Sequence, residues 1–159
     1  MGGNPAEVLA YANDNLCEGN DAELFVTVWL AIIEISTGKG IAANAGHEHP
    51  AIKRRDGKFE LVKYRHSPAV ATMEGIKFRE HEFEINPGDT LFVYTDGVPE
   101  ATNAGNELFG PERLIDALNK EPDAAPEELL DNVNEALNDF VKDAPQFDDT
   151  TMMAIKWNL

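Results

Sequence analysis

The stretch Asn86-Pro87-Gly88-Asp89-Thr90-Leu91-Phe92-Val93-Tyr94-Thr95-Asp96-Gly97-Val98-Pro99-Glu100 decides how the chain is read. Asn86 to Asp89 has turn chemistry, and Leu91 to Tyr94 is an apolar and aromatic run of the length expected for a core strand. Asp96-Gly97 follows at once. The sequence is thus turn, buried strand, exposed acid. A carboxylate at the end of a buried strand sits on a rigid scaffold, and the adjacent glycine lets backbone or ligand approach without a Cβ in the way. Taken by itself Asp-Gly is also an ordinary turn dipeptide. A second stretch gives it weight: in Phe147-Asp148-Asp149-Thr150-Thr151-Met152-Met153-Ala154-Ile155, paired aspartates again stand at the end of a strand-like run. Hard divalent cations such as Mg²⁺ and Mn²⁺ take oxygen ligands and offset the repulsion among clustered carboxylates.

Composition narrows the class. With 159 residues, 43% of them hydrophobic, the chain can bury a sizeable core, and residues 4–159 are expected to form one domain. Met1-Gly2-Gly3 reads as an expression scar and is left out of the fold. The longest apolar run, Leu24 to Ile33, contains Thr27, ends at Glu34 and is too short to span a bilayer. No secretory signal is visible, and the single cysteine, Cys17, cannot form an internal disulfide; a reducing cytoplasm is the simplest setting. A net charge of −16 argues against nucleic acid, whose phosphates require Lys and Arg. The charge is unevenly placed. Residues 121–149 hold ten acids and one base, whereas eight of the thirteen basic residues fall between Lys53 and Arg79. That basic segment reads as a solvated hairpin with charged faces, or as a patch for a phosphorylated or acidic partner.

In chain order, Asn4-Pro5 supplies a cap and first-turn proline for a helix on which Val8, Leu9, Ala12 and Leu16 recur at helical spacing. Glu23 to Ile35 reads as a long buried strand, turned by Ser36 to Gly40 into Ile41 to Ala45. Ala51 to Tyr64 reads as a hairpin about Arg55-Asp56-Gly57-Lys58. Ser67 to Glu74 is irregular. Ile76 to Ile85 alternates with a shift of phase, as a bulged strand would. Ala101 to Glu107 is polar and expected to be mobile. Gly110-Pro111 opens a helix through Leu114, Ile115 and Leu118. Pro126 opens another, with Leu129, Leu130, Val133, Leu137, Phe140 and Val141 on one stripe. Helix, strands, two helices and a last strand make an α+β fold with antiparallel sheet. His47 and His49 fall on one side of an extended segment, but two histidines without a cysteine partner make a poor zinc site.

Tyr94-Thr95-Asp96-Gly97-Val98-Pro99-Glu100-Ala101, then Leu108-Phe109-Gly110, then Asp148-Asp149-Thr150-Thr151, resemble the motifs of the bacterial SpoIIE-like serine phosphatases of the metal-dependent protein phosphatase superfamily. Asn44-Ala45-Gly46-His47, with Pro50 after it, is similar to that family's alanine-glycine-histidine motif, and Ala12-Asn13 to its asparagine-bearing helix. Val70-Ala71 stands where the family usually has leucine-glycine. The resemblance implies an α-β-β-α sandwich of antiparallel sheets flanked by helices. It also implies that this chain is the C-terminal part of the domain, lacking the N-terminal strands. The family's opening G-D-x-x-D and D-x-x-G-K-G segments, whose aspartate bridges two metals, have no counterpart here: Gly38-Lys39-Gly40 lies in a hairpin turn, and Asp14 and Asp21 lack the strand and glycine context.

What the resemblance implies for function is hydrolysis of phosphoserine or phosphothreonine on a regulatory protein, of the anti-anti-sigma type. The cofactor would be Mn²⁺ or Mg²⁺, two ions in the intact domain and one or none in this chain alone. Asp96 and Asp148 would be catalytic metal ligands, Asp149 a further ligand, and His47 and Gly97 the substrate rim. No nucleic acid or membrane contact is expected, and sheet edges left open by the missing strands would favour self-association. A competing reading is a non-catalytic, protein-binding remnant of the same fold. A third, a calcium-binding structural domain, wants the regularly spaced acids of a calcium loop, which the sequence lacks.

Overall fold

The computed structural model describes residues 3–145 and 148–158. Met1 and Gly2 of the expected scar, and Phe147 of the second acidic stretch, lie outside the described residues. In chain order the elements are α1 (Pro5–Cys17), β1 (Val28–Ile33), β2 (Lys39–Ala45), β3 (Ala51–Lys53), β4 (Phe59–Leu61), β5 (Glu80–Glu84), β6 (Thr90–Tyr94), α2 (Gly110–Lys120), α3 (Pro126–Val141) and β7 (Met152–Lys156). Every strand pairing is antiparallel, in a sheet ordered β1-β2-β5 and a sheet ordered β4-β3-β6-β7. The fold is α+β with two antiparallel sheets, as the element order predicts. The chain divides into two compact units, one of residues up to His47 with Tyr64–Ile85, the other of Glu48–Lys63 with Asn86–Asn158.

In the first unit, α1 packs on the β1-β2-β5 sheet. Asn4 accepts from the Glu7 backbone N–H at 2.9 Å while the Glu7 carboxylate accepts from the Asn4 N–H at 3.3 Å, a reciprocal cap that starts the helix at Pro5. Leu9, Ala43, Ala45, Val70 and Phe78 form the core. Two expected core positions of α1 face outward: Val8 is 44% and Leu16 51% exposed. In their place Asn13 is fully buried. Its amide donates to the Met73 carbonyl and its oxygen accepts from the Ala71 N–H, so a polar residue ties the irregular loop to the helix.

The expected strand from Glu23 to Ile35 is shorter and less buried than its composition suggests. Only Val28–Ile33 is strand, and Leu24 and Phe25 are 70% and 66% exposed. Asn20 explains the difference: its side chain accepts from the Leu24 N–H and donates to the Leu24 carbonyl, and Glu23 adopts a left-handed conformation, so this stretch is a capped turn. Similarly, β5 spans only Glu80–Glu84, without a bulge. The phase shift arises because Phe78 precedes the strand and Arg79 donates its N–H to the Ser67 hydroxyl.

The second unit buries the other core. Phe59, Phe92, Tyr94, Leu114, Leu118, Leu129 and Val133 pack between the β4-β3-β6-β7 sheet and helices α2 and α3. Asn119 of α2 clamps β4, accepting from the Phe59 N–H at 2.8 Å and donating to its carbonyl at 3.0 Å. Phe140 meets Phe109 edge to face at 5.5 Å with the Arg113 guanidinium 4.6 Å from its ring centroid. Lys53, expected on a solvated hairpin, is instead 3% exposed and ion-paired with Asp123 at 2.6 Å. The all-buried strand β3 draws its stem inward, and the partner satisfies its charge. The expected mobile segment after Glu100 is a small closed hairpin. Thr102 pairs with Leu108, and the Asn103 side chain accepts from the Gly105 and Glu107 N–H groups.

Candidate functional site

Strand β6 delivers Asp96. Thr90, Leu91, Phe92 and Tyr94 are buried, and the chain emerges at Asp96, whose side chain is exposed. Strand β7 pairs with β6 in the register Tyr94↔Met152, so the residues just before β7 run alongside those just after β6. Thr95 joins the two: its N–H donates to the Thr151 carbonyl at 3.0 Å, its hydroxyl accepts from the Thr151 N–H at 3.0 Å, and the same hydroxyl donates toward the Asp149 carbonyl at 3.3 Å. Gly97 is buried, and a Cβ built there would fall inside van der Waals contact of the Asp149 carbonyl oxygen. Only glycine lets the two acidic segments come this close.

The structure thus brings together Asp96, Gly97, Asp148 and Asp149. The Asp96 carboxylate accepts from the Gly97 N–H at 3.0 Å and that of Asp148 from the Asp149 N–H at 2.7 Å, each held by the backbone of the residue that follows. After Asp96 the chain turns tightly, with Val98 N–H donating to Thr95 and Glu100 N–H to Asp96, and fully buried Val98 anchors the turn. His47 lies in the other unit. Its N–H donates to the Asn44 side chain at 2.8 Å and its carbonyl accepts from the Asn44 amide at 2.9 Å, so Asn44-Ala45-Gly46-His47 is a side-chain-locked turn.

Two features near Asp96 escape sequence reasoning. The first is Tyr94. It is 3% exposed and its hydroxyl has no hydrogen-bond partner among the described residues. Burial, reinforced by the Glu48 carboxylate, pushes the phenol well above its usual range, which keeps it a protonated donor. A tyrosine in a strand reads as core, so nothing local signals it. The second is a cavity of about 300 Å³ between the end of α3 and the loops carrying Gly97 and Asp148. It forms from segments some fifty residues apart, and no window of sequence contains it.

The donor set fits a hard cation in kind: exposed carboxylates, two strand ends and a glycine cradle that a Cβ would fill. It falls short in number. Among the described residues no group of three or more His, Cys, Asp or Glu side chains converges to hold a metal ion.

The sequence profile of the family described as Stage II sporulation protein E (SpoIIE) matches residues 1–158. The chain belongs to the SpoIIE family. Protein IcfG of Synechocystis sp. is 36% identical over 141 residues, 89% of this chain and 22% of that protein. Among solved structures, the SiaA-PP2C domain of Pseudomonas aeruginosa is similar with a TM-score of 0.80 and 20% identity, over 98% of this chain and 61% of that one. The manganese-presoaked phosphatase domain of the cell fate determinant SpoIIE from Bacillus subtilis is similar with a TM-score of 0.66 and 18% identity, over all of this chain and 68% of that one. The chain therefore spans about a fifth of its curated relative and about three fifths of the SiaA domain. The fold is that of PP2C-type phosphatase domains. Within the SpoIIE family frame, Ala71 of the Val70-Ala71 pair has φ 68°, a left-handed conformation that favours the glycine the family usually carries there.

Proposed function

We propose that this SpoIIE-family chain is part of a metal-dependent protein phosphatase domain, within which residues 4–159 fold together, and that it removes phosphate from phosphoserine or phosphothreonine of a regulatory protein of the anti-anti-sigma type. The observation that carries the reading is the β6–β7 pairing, which sets Asp96 and Asp148-Asp149 side by side with Gly97 against the Asp149 carbonyl. Asp96 and Asp148 would hold Mn²⁺ or Mg²⁺, with Asp149 as a further ligand; the similarity to the manganese-presoaked SpoIIE phosphatase domain of Bacillus subtilis supports the choice of metal. When bound, such ions supply an acidified water and offset negative charge on phosphate oxygens.

The chain's own part is positional. Thr95 fixes the spacing of the two acidic segments through three hydrogen bonds, and the Gly97 and Asp149 N–H groups orient the Asp96 and Asp148 carboxylates. Gly97 keeps the approach clear of a side chain. The test is manganese-dependent hydrolysis of an aryl phosphate by the chain and by Asp148→Asn. Turnover that disappears in the variant supports the reading. Turnover that survives it moves the chemistry elsewhere.

One observation favours a second reading, a protein-binding module without chemistry: the ligand set among the described residues is incomplete. Manganese titration separates the two, since a binding module takes up no manganese that depends on Asp96 or Asp148, whereas part of a metal-dependent phosphatase domain does.

A further inference from the structure

The cavity beside the acidic segments is bounded on one side by Glu100 and Asp148 and on the other by Leu137, Asn138, Val141 and Lys142 at the end of α3. Its volume, about 300 Å³, suits one side chain of a partner rather than a free metabolite of any size. The lining has two chemistries. Leu137 and Val141 give an apolar wall, the kind of surface along which the methylene stem of a long basic side chain lies. Glu100 and Asp148 bring acidic side chains to the lining and Lys142 a basic one. The carbonyl end of α3 adds the negative pole of a helix, because Val141 is its last residue. Among the described residues, Lys142 N–H donates to the Asn138 carbonyl at 2.9 Å and Ala144 N–H to the Val141 carbonyl at 3.1 Å. The surrounding stretch, ten acids and one base over residues 121–149, biases the same surface toward cations.

We propose that this cavity is a subsite for an arginine or lysine side chain of the phosphoprotein, next to the residue that carries the phosphate. The proposal rests on the phosphatase reading for the identity of the partner; the pocket's preference for a cationic side chain rests on its own lining. Glu100 is its specificity-determining residue, with Asn138 beside it as an amide partner.

The experiment titrates the isotope-labelled 159-residue chain by NMR, in metal-free buffer, with product peptides that differ only at one position flanking serine: arginine, its neutral isostere citrulline, or glutamate. The arginine peptide is expected to bind about fivefold more tightly than the citrulline peptide, as a partly exposed charge pair at a helix end would give. Its shifts should centre on the Glu100, Asn138 and Val141 amides. Glu100→Lys, on an exposed side chain, should erase the preference; Asn138→Lys on the exposed face of α3 is the second variant should the first not fold. Equal affinity for arginine and citrulline, shifts centred elsewhere, no binding, or a preference that survives a folded variant each overturns the proposal. Aryl phosphate hydrolysis, which offers no basic side chain, is read in parallel. Turnover without arginine preference removes the subsite alone, whereas arginine preference in a chain whose manganese binding is unchanged by Asp96→Asn leaves the subsite and removes the phosphatase reading.

Discussion

Asp89 opens the strand on which the site is built, and its carboxylate is held by several donors. It is 2% exposed and accepts from the Asn86 N–H, the Arg55 N–H and the Arg54 guanidinium, all between 2.8 and 2.9 Å. Burial pushes its pKa up, but these donors together outweigh burial and hold it below the usual carboxylate value. A carboxylate whose folded pKa is depressed contributes stability that is complete above its unfolded pKa of about 3.9 and is lost as pH falls through the lower folded value. Denaturant titrations from neutral pH downward should therefore show stability dropping below about pH 4, with a shallower fall in Asp89→Asn. Equal slopes would remove Asp89 from the account. Ala71 makes the opposite prediction. With φ 68° it bears a strain that glycine relieves, so Ala71→Gly should raise unfolding stability by about 0.5–1 kcal/mol after the entropy cost of glycine. A urea midpoint that falls would contradict this.

Elements were legible where local chemistry and burial agree. Pro5, Pro111 and Pro126 each mark the first turn of a helix, and the α3 stripe is the core stripe: Leu129, Val133 and Leu137 are all buried. Strand β6 was equally clear, because a short apolar run between turn residues has few other uses. The misreadings share one physical cause. Composition puts the hydrophobic residues of α1 and of the stretch before β1 in the core, yet burial depends on what lies opposite, which a linear pattern does not record. Hence Val8 and Phe25 face solvent while Asn13 is buried, and Lys53 lies inside because Asp123, seventy residues away, meets it. The site was half legible. Asp96, Gly97, Asp148 and Asp149 stood out as acids and a glycine at strand ends, whereas Tyr94 and the cavity at α3 exist only through pairing and packing. Truncating a residue from each class separates them. Leu129→Ala should cost about 3 kcal/mol of unfolding free energy, whereas Val8→Ala should change it by no more than about 0.5 kcal/mol. Comparable losses at the two positions would mean that α1 buries the face described as exposed.

At the scale of the whole molecule, two quantities oppose each other. Four strands, β1, β5, β4 and β7, are sheet edges, and Ile32, Ile35 and Phe25 are 51%, 69% and 66% exposed, which together favour pairing between copies. A net charge of −16 holds copies apart. Screening weakens that repulsion over a Debye length of about 10 Å at 0.1 M salt. Sedimentation velocity should accordingly show self-association that grows with protein concentration and with added salt. A monomer under all conditions would rule out edge pairing. The same charge also bears on the metal, since an acidic chain concentrates divalent cations at its surface without specificity, and only a residue-dependent signal counts as a site. The most direct measurement is therefore calorimetric titration of manganese into the chain and into Asp96→Asn, with thermal unfolding of both as a control. The account predicts weak binding by the chain, loss of that binding in the variant, and unfolding stabilities that agree to within about 0.5 kcal/mol, because an exposed ligand contributes little to the core. Manganese affinity unchanged by Asp96→Asn would contradict the assignment of the site.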